Sequence, residues 1–407
     1  MKILAVNHGI GPSICLLEKG QVIFAIEEER LNREKNTMGF PKKSLQLVND
    51  DFKDFVETVD KIAIANHQYS MLSKKKFHQK YYDSFYGKSV KEKILDIGWK
   101  FKRKIKSSIK VKSLIKEQTL VKKLVFENCK NLNKNINFDF FKHHDCHAAA
   151  AYYGLAKKVN KPYLVLTLDG GGDGENATVQ IGNQGKLKRI SSTVSGNSIG
   201  NIYSITTFLL GLTPHEHEYK LMGLAAYVPE YYKNKSAKIF AKYLSIDPNN
   251  QLKFKALNGV RTNNLHKSLF KDFELERFDN IAGGLQLFTE KLVIEWVKNC
   301  INKTGIKDVL FSGGVFMNVA MNKKLAELKE INSINVFPSC GDETNSFGAA
   351  FLMNANFSKA LPKFDTFMLG SVANIDKKII KKYNNKCIFT KVNNPEFEAA
   401  KLLAKGK

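Results

Sequence analysis

Three histidines fall within five consecutive residues, at His143, His144 and His147. Residues four apart lie on the same face of a helix, so His143 and His147 are able to bind one metal ion while His144 points away. A third ligand must then come from a distant part of the chain, and Asp342, in a turn that precedes a helix, suits that role. The same histidines would also suit the polar start of a helix, and the spacing alone leaves both interpretations open.

Two cysteines, Cys146 and Cys340, lie beside these candidate ligands. Cys146 lies roughly 100° around the helix from either histidine, so we expect both cysteines to be buried thiols rather than ligands. The six cysteines of the chain are scattered without a CxxC pair, which is typical of reduced thiols in a cytosolic protein.

Three glycine-rich turns follow apolar segments and are candidates for binding phosphate, because backbone N–H groups approach phosphate oxygens only where no Cβ intervenes. The turn DGGGDG is the strongest candidate, since it follows a buried strand and carries two carboxylates that suit Mg²⁺ at a phosphate. The sequence has no GxxxxGK[ST] P-loop and no GxGxxG that opens a helix. The three turns are residues 8–11, 169–174 and 312–314.

A lysine, Lys220, stands close to Glu218 at the start of a run of small and apolar residues. Such a lysine would serve a phosphate or an acceptor hydroxyl. A structural ion pair is an equally good interpretation of the same residues.

The elements that must position these residues show an internal repeat. Each copy has an apolar strand, a glycine-rich turn, a second strand, a hairpin containing glycine and a third strand. The first copy begins at KILAVN and the second at PYLVLTL, about 160 residues later. The repeat predicts two ribonuclease-H-like subdomains whose glycine turns face each other across a nucleotide cleft.

After each copy the pattern becomes helical, and the alternation of strands with helices predicts an α/β protein. Further strands are predicted in DVLFSGG, which leads to a helix beginning at Phe316, and in NVFP, which leads to another helix after GDETNSFGAA. The tail beyond Lys363 reads as a strand followed by a helix. Helices are predicted at 143–153, 201–212, 220–226 and 281–304.

The composition of the 407 residues, 43% hydrophobic and 25% charged, is that of a globular protein and excludes disorder, collagen and coiled coil for the whole chain. No apolar run reaches the ~18 residues of a membrane span, and no signal peptide is recognisable at the N-terminus. These observations exclude secreted and membrane-spanning proteins, and we expect a cytoplasmic location.

The net charge of +25 is concentrated in one segment, since Lys74 to Lys123 holds 17 basic residues and four acidic ones. Clustered cations with interspersed aromatic residues suit nucleic acid or an anionic membrane. No recognition motif accompanies the charge, which favours a solvated helical insertion at residues 67–125 over a nucleic-acid partner.

Seven stretches of the sequence resemble the carbamoyltransferase family typified by nodulation-factor and aminoglycoside-antibiotic O-carbamoyltransferases. They run in family order over almost the whole chain and are EEERLNREKNTMGFP, HHDCHAAAAYYG, LTLDGGGDGENATV, SIGNIYSITTFLLG, HEYKLMGLAAY, SGGVFMNVAMNKKL and GDETNSFGAA. The resemblance implies a duplicated α/β core of the actin, sugar-kinase and Hsp70 type, related to the tRNA threonylcarbamoyl-transferring proteins. The expected first lobe is residues 1–66 and 126–160, and the second is 161–360.

The family resemblance also implies a reaction. In such enzymes carbamoyl phosphate yields carbamate, which reacts with ATP to form carbamoyl adenylate, and the carbamoyl group then passes to a hydroxyl of a sugar or natural product. The implied cofactors are ATP or carbamoyl adenylate and one divalent metal, commonly iron in the family, held by His143, His147 and Asp342. His143, His147 and Lys220 are the implied catalytic residues. The implied nucleotide contacts are Gly170, Gly171, Gly172, Asp173, Lys220, Gly313, Gly314 and Asn318, with Lys35 as a weaker phosphate candidate.

The sequence departs from the family pattern at three points, which affect how far the family's residue roles apply to this chain. The first turn reads Ile-Gly-Pro-Ser at residues 10–13 where the family has a His-Asp-x-Ser run, and Thr344 stands where the family tends to have glycine, so that its Cβ is expected to crowd the site. The family continues into a YrdC-type domain that makes the adenylate, whereas this chain ends at Lys407. We therefore expect residues 361–407 to be a linker and the start of a truncated C-terminal domain. Alternatively, the chain is a lone core domain that relies on a YrdC-type partner to supply the adenylate.

The same family resemblance suggests other partners and functions. A homodimer is expected from the family. The alternatives to an O-carbamoyltransferase core are a non-catalytic nucleotide-binding relative and a tRNA threonylcarbamoyl-type modification protein, the latter favoured by the basic segment.

Overall fold

The computed structural model describes residues 1–68, 74–87, 107–362, 366–370 and 377–406. Within these ranges the strands are β1 (Lys2–Asn7), β2 (Gly9–Ile10), β3 (Ser13–Glu18), β4 (Gln21–Glu27), β5 (Met38–Gly39), β6 (Lys61–Ala65), β7 (Asn137–Phe141), β8 (Tyr163–Gly172), β9 (Glu175–Asn183), β10 (Lys186–Val194), β11 (Leu244–Asp247), β12 (Asn250–Ala256), β13 (Asp308–Ser312) and β14 (Ser333–Val336).

The α-helices of the same ranges are α1 (Glu29–Asn32), α2 (Lys42–Asp51), α3 (Lys53–Glu57), α4 (Lys74–Tyr86), α5 (Ser107–Asn128), α6 (His143–Leu155), α7 (Ile199–Leu209), α8 (Glu218–Ala225), α9 (Glu230–Phe240), α10 (His266–Asp272), α11 (Phe278–Thr304), α12 (Val319–Ala326), α13 (Asn345–Ala355), α14 (Lys377–Tyr383) and α15 (Pro395–Ala404).

Two five-stranded sheets have the same strand order and the same strand directions. The first is ordered β4-β3-β1-β6-β7 and the second β10-β9-β8-β13-β14. In each sheet the central strand, β1 or β8, pairs antiparallel with one neighbour and parallel with the other. The repeat predicted from the sequence is therefore confirmed, and the chain has a duplicated ribonuclease-H-like α/β core.

The central strands are apolar at consecutive positions because both of their faces are covered. In β1, Ile3 and Ala5 enter a core that lies between the two sheets, whereas Leu4 and Val6 enter the outer core of the first lobe. In β8, Val165 enters the same inner core, and its neighbours Leu164 and Leu166 enter the outer core of the second lobe. A continuous apolar run thus specifies a strand buried on both faces.

Helices α6 and α13 pack against each other between the sheets. Helix α6 follows a strand of the first sheet yet packs on β8, and α13 follows a strand of the second sheet yet packs on β1. Their backbones approach closely because Gly348 has no side chain, and a methyl group there would overlap the carbonyl of Cys146. This crossing brings the first turns of both helices to one place at the junction of the lobes.

One local prediction is corrected by the structure. The helix expected to begin at Phe316 begins at Val319, because residues 314–317 form a 3-10 turn and the side chain of Asn318 caps the helix by accepting the Met321 N–H. The strand expected in the tail beyond Lys363 falls largely on residues outside the described ranges, and residues 377–406 hold the helices α14 and α15.

The basic segment contributes α4 and α5, and the rest of it lies outside the described residues. The C-terminal half of α5 places Val121 and Val125 in the outer core of the first lobe. Helix α4 instead packs on the second lobe, where the ring of Phe85 lies 4.9 Å from Phe208 and 5.0 Å from His266. In the described part of the chain, none of the helices combines the length and the apolar character that crossing a bilayer requires.

Residues 1–369 form one compact unit and residues 370–407 a second one.

Candidate metal centre and nucleotide-binding turns

Four side chains from three separate parts of the chain converge at the start of α6. They are His143, His147, Asp169 and Asp342, and one ligand atom from each lies within 4.8 Å of all the others. The Nε2 atoms of the two histidines are 3.1 Å apart. An oxygen of Asp342 lies 3.5 Å from Nε2 of His143 and 3.3 Å from Nε2 of His147, so the three predicted metal ligands meet.

Asp169 was predicted as a carboxylate for Mg²⁺ in the DGGGDG turn but not as a ligand that shares an ion with the two histidines. It follows the buried part of β8, and its Oδ2 lies 3.5 Å from Nε2 of His143. Its Oδ1 accepts a hydrogen bond of 3.1 Å from the N–H of Gly314. In the sequence, Asp169 is the first residue of DGGGDG, and its position at the end of a buried strand was the feature that indicated a role in the site.

Second partners orient both histidine rings. The Nδ1 of His143 lies 2.7 Å from Oδ1 of Asn66, and the Nδ1 of His147 lies 3.2 Å from Oγ of Ser312. Each ring therefore uses Nδ1 for a protein partner and presents Nε2 to the cluster, the arrangement in which metal-binding histidines are usually held. Asn66 was not recognisable as part of the site from the sequence, and Ser312 was predicted only as part of a glycine-rich turn, not as a partner of His147.

The start of α6 is held by Asp173, which the family resemblance implied as a nucleotide contact. Its carboxylate accepts hydrogen bonds from the backbone N–H groups of His67, Gln68 and His143, at 2.9 to 3.2 Å. A carboxylate at a helix N-terminus satisfies unpaired N–H groups and complements the helix dipole. In the structure Asp173 thus links the end of the first sheet to the first turn of α6.

The turn that carries Asp342 accommodates the threonine that was expected to crowd it. Thr344 is buried, and its hydroxyl donates a 2.8 Å hydrogen bond to the carbonyl of Gly341. The altered first turn of the chain packs on the same segment, because the Ser13 hydroxyl donates to the carbonyl of Glu343 at 2.6 Å. Thr344 therefore fits within the turn, and the serine that the first turn shares with the family pattern contacts the residue next to Asp342.

Burial and neighbouring charges shift the pKa values of His143, His144 and Asp169. Burial lowers the pKa of His143, but the carboxylates of Asp342 and Asp169 outweigh it and raise that pKa to about 9. Burial raises the pKa of Asp169, yet the hydrogen bond and the charge of His143 bring it well below its usual range. The adjacent His144 is excluded from the cluster, since its Nδ1 lies 2.8 Å from Thr167 and burial brings its pKa well below the ordinary value.

The donor set fits a divalent cation. Two imidazole nitrogens and two carboxylate oxygens are ligands that iron, manganese and zinc accept. A buried amide oxygen next to the cluster, Oδ1 of Asn345, also lacks a hydrogen-bond partner among the described residues. His143, His147, Asp169 and Asp342 are therefore the residues that would hold the ion.

Two of the three predicted glycine turns, at 169–174 and 312–314, meet beside this cluster. Gly313 has a φ of 107°, and a methyl group there would overlap the carbonyl of Leu168, so this close approach requires glycine. The adjacent Gly314 donates its N–H to Asp169. Gly170 packs on the start of α7, where a Cβ on Gly200 would lie 2.8 Å from the Gly170 Cα.

Gly172 limits the space around the histidines. A methyl group at Gly172 would overlap the ring of His143. The four candidate metal ligands are therefore adjacent to the turn at 170–172, the turn at 313–314 and the N-terminus of α7.

The remaining predicted nucleotide contacts interact with residues outside the four-residue cluster. Asn318 caps α12 and exchanges two hydrogen bonds with Gln286, at 2.8 and 3.0 Å. The ammonium of Lys220 lies 5.9 Å from the ring centre of Tyr219, and no hydrogen bond or ion pair joins it to the four-residue cluster within the described ranges. Lys35 is an exposed residue that pairs with Glu29 at 4.0 Å.

The two cysteines next to the ligands are buried. Burial raises the pKa of Cys146 well above its ordinary value and that of Cys340 to about 12, which keeps both thiols neutral. Neither cysteine belongs to the four-residue group.

The sequence from residue 3 to residue 351 matches the family model described as Carbamoyltransferase N-terminus. The chain belongs to this family. An uncharacterized protein of Methanocaldococcus jannaschii, MJ1051, is 28% identical to this carbamoyltransferase-family chain over 361 residues, which are 86% of this chain and 56% of MJ1051. The nodulation protein NolNO of Sinorhizobium fredii is 24% identical over 357 residues, covering 86% of this chain and 47% of NolNO. The chain thus spans about half the length of these curated relatives.

Solved structures with a similar arrangement are more distant in sequence. The crystal structure of HypF from T. kodakarensis is 12% identical with a TM-score of 0.45, covering 87% of this chain and 48% of HypF. The activator of 2-hydroxyisocaproyl-CoA dehydratase from Clostridium difficile is 12% identical with a TM-score of 0.42, covering 88% of this chain and 96% of the activator.

Proposed function

We propose that this chain is the core of an O-carbamoyltransferase, which transfers the carbamoyl group of carbamoyl adenylate to a hydroxyl of a sugar or natural product. The observation that carries the proposal is the position of the metal-ligand cluster, directly between two glycine turns of a family whose model covers residues 3–351. Such a position brings a cation and phosphate-binding N–H groups to the same part of a ligand.

The reaction breaks the bond between the carbamoyl carbon and the adenylate oxygen and forms a bond from that carbon to the acceptor oxygen. AMP leaves, and the acceptor hydroxyl loses a proton. The bound ion, iron in the family this chain resembles, would supply Lewis-acid stabilisation of charge on a carbamoyl or phosphoryl oxygen.

The residues of this chain would divide the remaining tasks. Backbone N–H groups of Gly170, Gly171 and Gly172, with the N-terminus of α7, would bind the adenylate phosphate. Gly313 and Gly314 would permit its close approach from the second turn. Lys220, at the start of α8, would serve the phosphate or the acceptor hydroxyl.

The protein's own residues also prepare the site before a ligand arrives. Asn66 and Ser312 hold the two histidine rings with their Nε2 atoms inward, and Asp173 anchors the first turn of α6. Preorganised donors need no rearrangement as charge develops in the transition state.

Carbamoyl transfer can be tested with a YrdC-type domain supplied in trans. The chain is mixed with that domain, carbamoyl phosphate, ATP and a panel of sugars and aminoglycosides, and carbamoylated acceptor is detected by mass spectrometry. We expect product with the wild type and none with His147→Ala, although the variant keeps its affinity for AMP.

Two results would count against this function. Equal product from the wild type and His147→Ala would place the transfer chemistry elsewhere. AMP binding without transfer to any acceptor would instead favour a non-catalytic nucleotide-binding relative.

A further inference from the structure

Asn345 is a buried residue that opens α13, three positions after Asp342. Its side-chain Nδ2 lies 3.4 Å from Nδ1 of His143 and 3.4 Å from Nε2 of His147. Its Oδ1 is buried and makes no hydrogen bond with any described residue. The amide of Asn345 thus contacts both histidines through Nδ2, while its oxygen has no hydrogen-bond partner among the described residues.

The hydrogen bonds of Asn66 show that the Nδ1 of His143 carries a proton. The Nδ2 of Asn66 donates to Oδ1 of Asn7 at 3.0 Å and to the carbonyl of His8 at 2.8 Å, so its Oδ1 is the atom that faces His143. An amide oxygen only accepts, and the Nδ1 of His143 must therefore be the donor. The Nδ2 of Asn345 cannot donate to a nitrogen that already bears a proton.

Among the described residues, Nε2 of His147 is then the acceptor that remains for the Nδ2 of Asn345. That same lone pair is the one that would bind a metal ion. When an ion takes it, neither end of the Asn345 amide has a partner, and a buried polar group without a partner destabilises the folded protein. A rotation of 180° about the Cβ–Cγ bond exchanges the two ends of the amide.

After that rotation Oδ1 occupies the position of Nδ2. An oxygen there faces the Nδ1–H of His143 without a clash between two donors, and it lies 3.4 Å from Nε2 of His147. Neighbouring donor atoms on one ion, with bonds of about 2.1 Å, are separated by about 3 to 3.4 Å. The distance between this amide position and Nε2 of His147 is therefore that of two neighbouring ligand atoms.

We propose that Asn345 supplies its amide oxygen as a fifth protein ligand, so that two nitrogens and three oxygens surround the ion. The inference rests on the metal centre of the proposed function. Five donors with this share of oxygen suit Fe²⁺, Mn²⁺ or Co²⁺ in five- or six-fold coordination and disfavour a closed tetrahedral zinc site. Asn345 is thereby a determinant of which metal the protein binds.

The test compares isosteric variants by their metal affinity and by the spectrum of bound cobalt. Asn345→Leu removes both polar atoms at nearly constant shape, whereas Asn345→Asp keeps an oxygen at the same place. Asn322→Leu is the matched control, because the Oδ1 of Asn322 is likewise unpaired but lies in α12, outside the cluster. Affinities for Mn²⁺ and Co²⁺ are measured by competition with a chromogenic chelator.

We expect Asn345→Leu to weaken binding of both ions by about 10- to 100-fold, the range typical of a lost metal-site partner. Its Co²⁺ complex should absorb visible light more strongly than that of the wild type, as expected for a lower coordination number. Asn345→Asp and Asn322→Leu should keep the wild-type affinity or exceed it. Thermal unfolding of the metal-free proteins shows whether each variant is folded.

Several results would overturn the inference. They are an affinity and a spectrum unchanged in Asn345→Leu, a loss in Asn345→Asp as large as in the leucine variant, and an intense tetrahedral cobalt spectrum in the wild type. Carbamoyl transfer is scored separately on the wild type. Intact transfer with metal binding that does not depend on Asn345 overturns this inference alone, whereas a wild type that binds no ion overturns the whole metal centre.

Discussion

The carboxylate of Asp173 lies 2.9 Å from the backbone nitrogen of His143. This single hydrogen bond joins the glycine turn of the second sheet to the helix that follows the first sheet. Because the same carboxylate also binds the N–H groups of His67 and Gln68, one side chain connects three segments around the metal centre.

Asp173→Asn should destabilise the protein even without any ligand. The variant loses the charge that three N–H groups share, and hydrogen bonds to a charged group contribute about 1.5–3 kcal/mol each, so we expect a loss of about 2 kcal/mol or more. Urea unfolding of the metal-free wild type and variant measures this loss in the free energy of unfolding. The control is Asp247→Asn, since Asp247 accepts one exposed hydrogen bond from Asn249. A variant as stable as the wild type that fails only to bind nucleotide would show that Asp173 contacts the ligand instead.

Asp169→Asn should lower metal affinity while leaving the fold intact. The amide keeps an oxygen for the N–H of Gly314 but removes a negative charge 3.5 Å from Nε2 of His143. We expect a decrease of about 10- to 100-fold in affinity for Mn²⁺, measured by chelator competition. Asp279→Asn, which changes a carboxylate paired with Arg277 on the surface, should leave the affinity unchanged. An Asp169→Asn protein that binds Mn²⁺ as tightly as the wild type would remove Asp169 from the ligand set.

The difference between these two aspartates shows how far the sequence could predict the site. His143 and His147 were predicted because helical spacing alone brings them to one face. Asp169 and Asp173 share one turn, and which of them faces the histidines depends on the twist at the end of β8 and on the crossing of α6 over the second sheet. Neither is a local property of the sequence.

The fold was more accessible to prediction than the contacts across it. Each sheet repeats a local pattern of strand, glycine turn and strand, which the sequence displays twice. The roles of Asn66 and Asn345, by contrast, join residues 77 and 202 positions away from His143. Such contacts exist only after both lobes have packed around α6 and α13.

Gly172→Ala should disturb the metal centre by steric overlap. The added methyl group would meet the ring of His143, and overpacking of this kind costs about 1–3 kcal/mol. We expect reduced thermal stability and loss of bound metal. Gly223→Ala is the matched change, because nothing lies within 4 Å of its added Cβ in α8, and alanine there should raise helix stability by up to about 1 kcal/mol. If Gly172→Ala retained wild-type metal binding, His143 would not be held where the structure places it.

The stability of the protein should fall in mild acid, in part through His266. Burial against the rings of Tyr81 and Phe85 lowers the pKa of His266 to about 4, below its ordinary value of 6.5. The unfolded chain therefore takes up this proton first, so the contribution of His266 is complete above pH 6.5 and is lost as the pH falls toward 4. For one proton the slope is at most about 1.4 kcal/mol per pH unit.

Urea unfolding of the wild type and His266→Phe between pH 4 and 8 checks this assignment. The variant should show a shallower dependence between pH 6.5 and 4 and the same dependence as the wild type above pH 6.5. An identical slope for both proteins across the acid range would mean that His266 takes up its proton in the folded state as easily as in the unfolded chain.

The metal content of the purified protein tests the central claim most directly. Inductively coupled plasma mass spectrometry is applied to the wild type and to His147→Ala, with His217→Ala as the control histidine outside the cluster. We predict about one divalent metal ion per chain in the wild type and in the control, and none in His147→Ala, whose affinity for AMP is retained. A wild type without metal, or equal metal in all three proteins, would contradict the assignment of His143, His147, Asp169 and Asp342 as the metal centre of this carbamoyltransferase-family chain.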